Sequence, residues 1–216
     1  MVHGALLTVF IAAVLEPLAG AEIAYLTGNL GQPPILLPER GWGLPFSVLV
    51  LLVFKDFLDY WFHRAQHSVP LLWSMHSFHH SDRALNVTTS VRHFWGDRAL
   101  IVCLTYIPIG LVFRFGMRTA VVYGLVAMFF SLFPHMNLRI EFGRFSWILI
   151  GPQLHRTHHS ILPKHHNANY SALFPVWDVL FGTYRAPAHG EFPETGIGER
   201  EPDNLWNALV WPFRKT

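Results

Sequence analysis

Three histidine groups recur along the chain at helical spacing, and they constrain its fold more than any other feature. His63-Arg-Ala-Gln-His67 sets two imidazoles at i and i+4. His76-Ser-Phe-His79-His80 and His155-Arg-Thr-His158-His159 each set three at i, i+3 and i+4. Residues three and four apart on a helix share a face, with Cβ atoms ~5–6 Å apart. Each group can therefore aim ring nitrogens at one point, as the paired histidines of helical zinc proteases do. A single pair of this kind is as often structural as not. Eight imidazoles in three boxes beside a membrane are costly unless something compensates them, and shared metal coordination does. The boxes are therefore expected to converge on one site. Eight ligands exceed the four of zinc and the six of octahedral iron, so two ions are the natural reading. Imidazole suits zinc, copper, iron and nickel alike. Both a closed structural zinc site and an open redox di-iron site fit this arithmetic.

Composition sets the surroundings of that site. Of 216 residues, 51% are hydrophobic and 14% charged, which excludes intrinsic disorder. One cysteine excludes a disulfide framework and any cysteine-rich metal site. A net charge of +2 makes no case for nucleic acid, which requires a concentrated basic patch. Four uncharged apolar runs stand out: Ala5 to Leu15, Leu44 to Phe54, Ala99 to Phe113 and Thr119 to Pro134. Taken alone, a 15-residue run reaches ~22 Å, short of a ~30 Å hydrocarbon core, and buried helices of a soluble bundle are the competing reading. Four such segments, with eight tryptophans to anchor at interfaces, favour the membrane. The first run resembles a signal peptide's apolar region. Residues 1–4 carry no Lys or Arg, however, so it is read as an uncleaved first span.

The expected fold is all-α: an integral membrane bundle of about four short transmembrane helices with a histidine-rich helical cap. Residues 1–43 form a membrane helix and loop, 44–185 the histidine-box domain, and 186–216 a tail ending in a peripheral amphipathic element near Asn204–Trp211. Lys55, Arg64, Arg83, Arg92, Arg98, Arg139, Arg144, Arg156 and Lys164 cluster with the polar, histidine-rich segments, so the cap is expected on the cytoplasmic side.

The residues around the boxes carry a family resemblance. Tyr60-Trp-Phe-His63-Arg64 leads into the first box, Asn86-Val-Thr-Thr-Ser-Val-Arg92 follows the second, and His135-Met-Asn137 stands between the second and third. Asn169-Tyr170 and Trp177-Asp178-Val-Leu-Phe-Gly-Thr-Tyr184 close the pattern. Over about Asp56 to Arg185 this order resembles the fatty acid hydroxylase/sterol desaturase superfamily of membrane di-iron oxygenases. The resemblance implies two iron ions on His63, His67, His76, His79, His80, His155, His158 and His159, with His135 as a ninth ligand. Zinc is a conceivable replacement in purified protein. Phe94-Trp95 departs from a His-Pro often found there, which leaves His93 a ligand, a substrate-side residue or a structural one. His165 and His166 are further candidates to complete a metal site.

The resemblance also implies an oxygen-dependent enzyme that hydroxylates or desaturates an unactivated C–H bond of a lipid-like substrate reached from the bilayer. Electrons would come from a separate donor protein, since no haem domain or dinucleotide fingerprint is visible; a bacterial inner membrane is the expected location. The alternatives are a metal-dependent membrane hydrolase, for which no carboxylate stands out among the boxes, and a metal- or haem-binding membrane protein. Haem needs only two axial histidines and leaves most of these unexplained. Metal-bound imidazoles usually donate their second N–H to a carboxylate or carbonyl. Asp59, one helical turn before His63, is the leading candidate for that role, with Asp56, Asp178 and Asn137 as others.

Overall fold

The computed structural model describes residues 31–198, 202 and 204–213. The expected first span at Ala5–Leu15 lies outside the described residues, as does His3. What is described is mostly helical, with one short parallel pairing of β1 (Ile35–Leu36) and β2 (Phe113–Arg114).

The longest element, α1 (Gly43–Ser68), spans ~39 Å. Its first half is the apolar run from Leu44, and its second half carries the first histidine box. It stops at Val69-Pro70. A residue before proline is pushed out of the helical region, and Val69 sits at φ −100°, ψ 118°. Proline is in turn well suited to the first turn of the next helix, so α2 (Pro70–His80) starts at once. This sharp corner needs no linker and folds the second box back towards the first.

Two further helices complete the frame. Trp95–Val112 is continuous but composite: α3 (Trp95–Ile101), a π-helical stretch Val102–Tyr106, and α4 (Ile107–Val112). Pro108 has no N–H to return to the carbonyl four residues back, and a proline ring crowds that carbonyl. The widened turn, in which the Ile107 N–H reaches the Val102 carbonyl, absorbs the misfit. α5 (Met117–Leu132) follows and runs on through a 3-10 turn, Phe133–His135. These two, Trp95–Val112 and Met117–His135, are the described helices long and apolar enough to cross a membrane, at 18 and 19 residues. Each is longer than its uncharged run because polar ends at Trp95–Arg98 and at His135 join the helix. Only 22% and 11% of these windows are buried, unlike core helices of a soluble bundle. Val121, Leu125, Met128 and Phe129 form an exposed apolar stripe along α5.

Polarity along these helices places the site. α1 ends in the first box, Trp95–Val112 begins near Asp97, and Met117–His135 ends at a histidine, so one end of the frame gathers the imidazoles. The opposite end is closed by the β1–β2 pairing and by Leu37, Val48, Leu51, Leu52, Ile109, Phe113 and Tyr123, which pack together with Leu173. A smaller cluster of Phe78, Phe94, Ala208 and Trp211 backs α2. The tail element expected to be peripheral is thereby partly core. Its helix, Leu205–Leu209, is capped by Asn204, and the Trp211 indole donates to Ser77 Oγ at 2.9 Å.

Candidate metal centre

Nine histidines fall into two adjoining clusters. Ligand nitrogens of His63, His67, His76, His80 and His158 lie within 4.8 Å of one another, and so do those of His79, His135, His155 and His159. The i, i+3, i+4 boxes explain the division. Adjacent residues on a helix point ~100° apart, so His79 and His80 enter different clusters, as do His158 and His159. The His80 and His159 rings stack at 4.3 Å between centroids where the clusters meet. The third box rides on the short helix α6 (Pro152–His158), which proline again starts at its first turn.

The protonation pattern tests whether metal fits. His63 Nδ1 lies 2.7 Å from the Tyr170 carbonyl and His158 Nδ1 2.8 Å from the Ala168 carbonyl. A carbonyl only accepts, so both Nδ1 atoms carry the proton and both Nε2 atoms present lone pairs. Those Nε2 atoms face each other at 3.0 Å. Two lone pairs at that distance repel unless a cation lies between them. His135 repeats the pattern: its Nδ1 donates to the Ser131 carbonyl, and its Nε2 faces those of His155 at 2.9 Å and His79 at 3.3 Å. Nitrogens ~2.1 Å from a shared ion stand about 3.0 Å apart on an octahedral edge and about 3.4 Å apart on a tetrahedral one, the range seen here. In the first cluster the Nε2 atoms of His67, His76 and His80 are buried without a hydrogen-bond partner. Donor set and spacing therefore fit metal ions, and imidazole alone does not choose among iron, zinc, copper and nickel.

Electrostatics point the same way. Burial holds His79, His80, His155 and His159 well below the ordinary imidazole range, and neighbouring rings push them further down. Burial likewise pushes His158 down to about 3. The rings are neutral at physiological pH, which is the ligating form.

Main chain, rather than the expected carboxylates, holds several of these rings. Ala168 and Tyr170 belong to one loop, shaped by Asn169 in the left-handed region at φ 60°, a conformation asparagine tolerates. The Asn169 side chain accepts from the Arg185 N–H at 2.8 Å and donates to its carbonyl at 2.9 Å. Asp178, on α7 (Val176–Leu180), accepts the N–H groups of Tyr170 and Ser171 at 2.7 and 2.9 Å. It acts on His63 at one remove, by fixing the peptide whose carbonyl that ring meets. Asp56 accepts the N–H groups of Ala172, Leu173 and Phe174 and ties the same segment to α1.

The expectation for Asp59 is overturned. Its carboxylate pairs with Lys55 and accepts from Thr105 Oγ1, while His63 turns to the Tyr170 carbonyl. Asn137 Oδ1 accepts from Arg156 and touches no clustered ring in the described hydrogen bonds. His93 lies outside the two all-histidine clusters, stacked on His79 at 4.6 Å with Nδ1 3.0 Å from Asp97, and with His76 and Asp97 it forms a third, smaller group of potential ligands. His165 faces Glu191 and His166 is exposed, so neither joins a cluster. The residue missed in the sequence is Asp97. Fully buried, it accepts from His93, from His76 at 3.3 Å and from Gln66. A lone acid at the start of an apolar helix, one turn after a histidine, is the signal that marks it.

One prediction follows from the Asp59 geometry. Asp59→Asn is expected to leave bound metal per chain at the wild-type level, because no clustered ring depends on that carboxylate. Metal analysis of the purified variant checks this, and a loss of half the metal or more would restore Asp59 to the site.

Fold and site together define a class: helical proteins with long apolar helices that end in two adjoining buried imidazole clusters suited to metal ions. Within that class, the chain belongs to the fatty acid hydroxylase family, whose pattern matches residues 48–183 and so covers all nine clustered histidines. Over 201 residues it is 30% identical to an ornithine lipid hydroxylase of Rhizobium tropici, covering 91% of this chain and 60% of that protein. Over 175 residues it is 28% identical to an alkylglycerol monooxygenase of Caenorhabditis elegans, covering 81% of this chain and 34% of the relative. A very-long-chain aldehyde decarbonylase of Oryza sativa subsp. indica is 28% identical over 197 residues, 85% of this chain and 31% of that one. The chain thus spans between about a third and three-fifths of these relatives. No solved structure matches it.

Proposed function

We propose that the protein is a membrane lipid oxygenase whose two histidine clusters each hold an iron ion, and that it hydroxylates, in preference to desaturating, a C–H bond of a lipid chain. The observation that carries this reading is the paired cluster itself: two separate sets of neutral, inward-facing imidazoles opening onto one largely apolar cavity. That cavity has a volume of about 780 Å³ and is lined by His63, His76, His79, His135 and His155 at its histidine end. The relatives named for lipid hydroxylation and alkylglycerol oxygenation support the same substrate class. Iron bound there would supply oxidation of an unactivated C–H bond with dioxygen, using electrons from a separate donor protein.

The chain's own part is positioning and the exclusion of water. Leu52, Phe62, Ile109 and Phe130 line the cavity and suit a hydrocarbon chain. Trp95–Val112 and Met117–His135 form its membrane-spanning wall, with the span expected at Ala5–Leu15 and the apolar half of α1 completing a bundle of about four. The basic residues flanking the histidine boxes favour the cytoplasmic side for that end, and the bacterial ornithine lipid hydroxylase relative supports an inner-membrane setting. Residues 44–185 carry the reaction, with 1–43 and 186–216 as anchor and tail.

Two measurements test this. Metal analysis of protein made in iron-replete cells is expected to give two irons per chain. Lipid extracts of cells with and without the intact gene, compared by mass spectrometry, are expected to differ by lipids carrying one added oxygen. Identical lipid profiles, or protein that binds no transition metal, would overturn the reading.

A further inference from the structure

The cavity is not apolar throughout. Some way from the clusters, Lys55, Asp59, Tyr106 and Tyr123 line it, within helices that are otherwise apolar. Lys55 pairs with Asp59 and lies over the Tyr106 ring at 5.7 Å, and Arg98 lies over the same ring at 6.0 Å. Asp59 also accepts from Thr105, a residue of the π-helical stretch, at 3.1 Å. Tyr123 is 9% exposed, and its hydroxyl has no hydrogen-bond partner among the described residues. Packing does not account for this group. A buried ion pair is generally no more stabilising than apolar side chains of the same size, and ionisable residues at membrane depth ordinarily mark a pathway or a binding site.

The chemistry of the group defines its ligand. Both oxygens of Asp59 are used, by Lys55 and by Thr105. Lysine has three N–H donors, of which Asp59 takes one, and the Tyr123 hydroxyl adds another donor. Donors and cations outnumber acceptors, so the complementary ligand is an acceptor oxygen at the end of an apolar chain, in a carboxylate or a neutral oxygen function. The distance to the clusters is set by helix geometry. Lys55, Asp59 and His63 are spaced by four on one stripe of α1, so Lys55 and His63 lie ~12 Å apart along the axis.

We propose that Lys55, held by Asp59 and joined by Tyr123, receives the polar end of the lipid, so that the carbon oxidised is counted from that end and not from the methyl terminus. The inference rests on the oxygenase reading and adds to it the class of substrate, a single-chain amphiphile with an acceptor oxygen at its head, and the rule for where it reacts.

The test uses the full chain, iron-loaded in detergent, with straight-chain fatty acids, the matching primary alcohols and hydrocarbons of equal length as probes. A ligand that binds the native state raises its unfolding temperature, so binding is read without turnover. The acid and the alcohol are expected to stabilise the wild type and the hydrocarbon is not; a response to the acid alone marks the ligand as anionic, and a response to both marks the acceptor oxygen itself. Lys55→Met combined with Asp59→Asn removes both charges without stranding either. It is expected to weaken binding of the acid about ten- to a hundred-fold, the range of a hydrogen bond to a charged group. Tyr123→Phe, which deletes one oxygen, guards against misfolding of the double variant and is expected to weaken binding about two- to tenfold. Product mapping across a homologous series should find oxidation at a constant carbon from the head in the wild type, and at scattered carbons in the double variant. Equal binding of hydrocarbon and acid, or product positions untouched in the double variant, would overturn the inference and leave the oxygenase reading standing. Head-selective binding with no oxidised product from any probe would instead overturn the oxygenase reading and uphold the polar site.

Discussion

His79→Ala abolishes turnover and halves bound metal, whereas His189→Ala leaves both at wild-type levels: this is the expected outcome of a paired substitution at two histidines of different standing. His79 belongs to the four-ring cluster, with Nε2 3.3 Å from that of His135 and its ring 4.6 Å from that of His159. Deleting it leaves His135, His155 and His159, three nitrogens around a gap, while the five-ring cluster keeps every member. One ion should therefore be lost and the other retained. The effect on turnover exceeds the effect on metal because both clusters open onto the one cavity where the substrate is proposed to react. His189 carries the same imidazole but sits with 98% of its side chain exposed against Glu141, outside both clusters. Metal content by elemental analysis and product formation per chain are read on the same samples. Retention of full metal and activity in His79→Ala would dissolve the two-cluster assignment.

What the sequence revealed and what it concealed divide along a physical line. Convergence of the boxes was legible because a helix turns spacing into direction: i, i+3 and i+4 fix which face His76, His79 and His80 occupy before any tertiary contact is known. Membership of His135 came only through the family resemblance, since a lone histidine has no spacing to read. The groups that hold the rings were largely hidden. A carbonyl of Ala168 or Tyr170 is invisible in a sequence, because every residue carries the same one. Asp59 looked right for His63 by helical proximity, yet it lies one turn from Lys55 as well, and a full charge four residues away outcompeted a neutral ring whose Nδ1 had a carbonyl within reach. An uncharged run also understates the length of its helix: Asp97 and Arg98 continue Trp95–Val112, with Asp97 buried against His76 and His93.

That carboxylate is the strongest single lever outside the clusters. Asp97 is fully buried and meets three donors: Nδ1 of His76, Nδ1 of His93 and the Gln66 side-chain amide. By accepting from Nδ1 of His76 it fixes the tautomer, turns the bare Nε2 towards the first cluster and makes the ring a stronger donor to metal. Through His93 it also braces His79, on which that ring stacks at 4.6 Å and 6°. One side chain thereby touches a member of each cluster, directly or through one neighbour. In Asp97→Asn the volume is kept, but one oxygen becomes an NH2 that must face an existing donor, and the negative charge is gone. Losses of this kind typically lower metal affinity or activity ~10–100-fold, and the same range is expected here, with the helical content unchanged by circular dichroism. Asp59→Asn serves as the control, because it removes a half-buried carboxylate that pairs with Lys55 and Thr105 and touches no clustered ring. The decisive reading is metal affinity measured by competition with a chelator: a parallel shift in both variants would reduce Asp97 to a general structural role, whereas a shift confined to Asp97→Asn assigns it the orientation of His76.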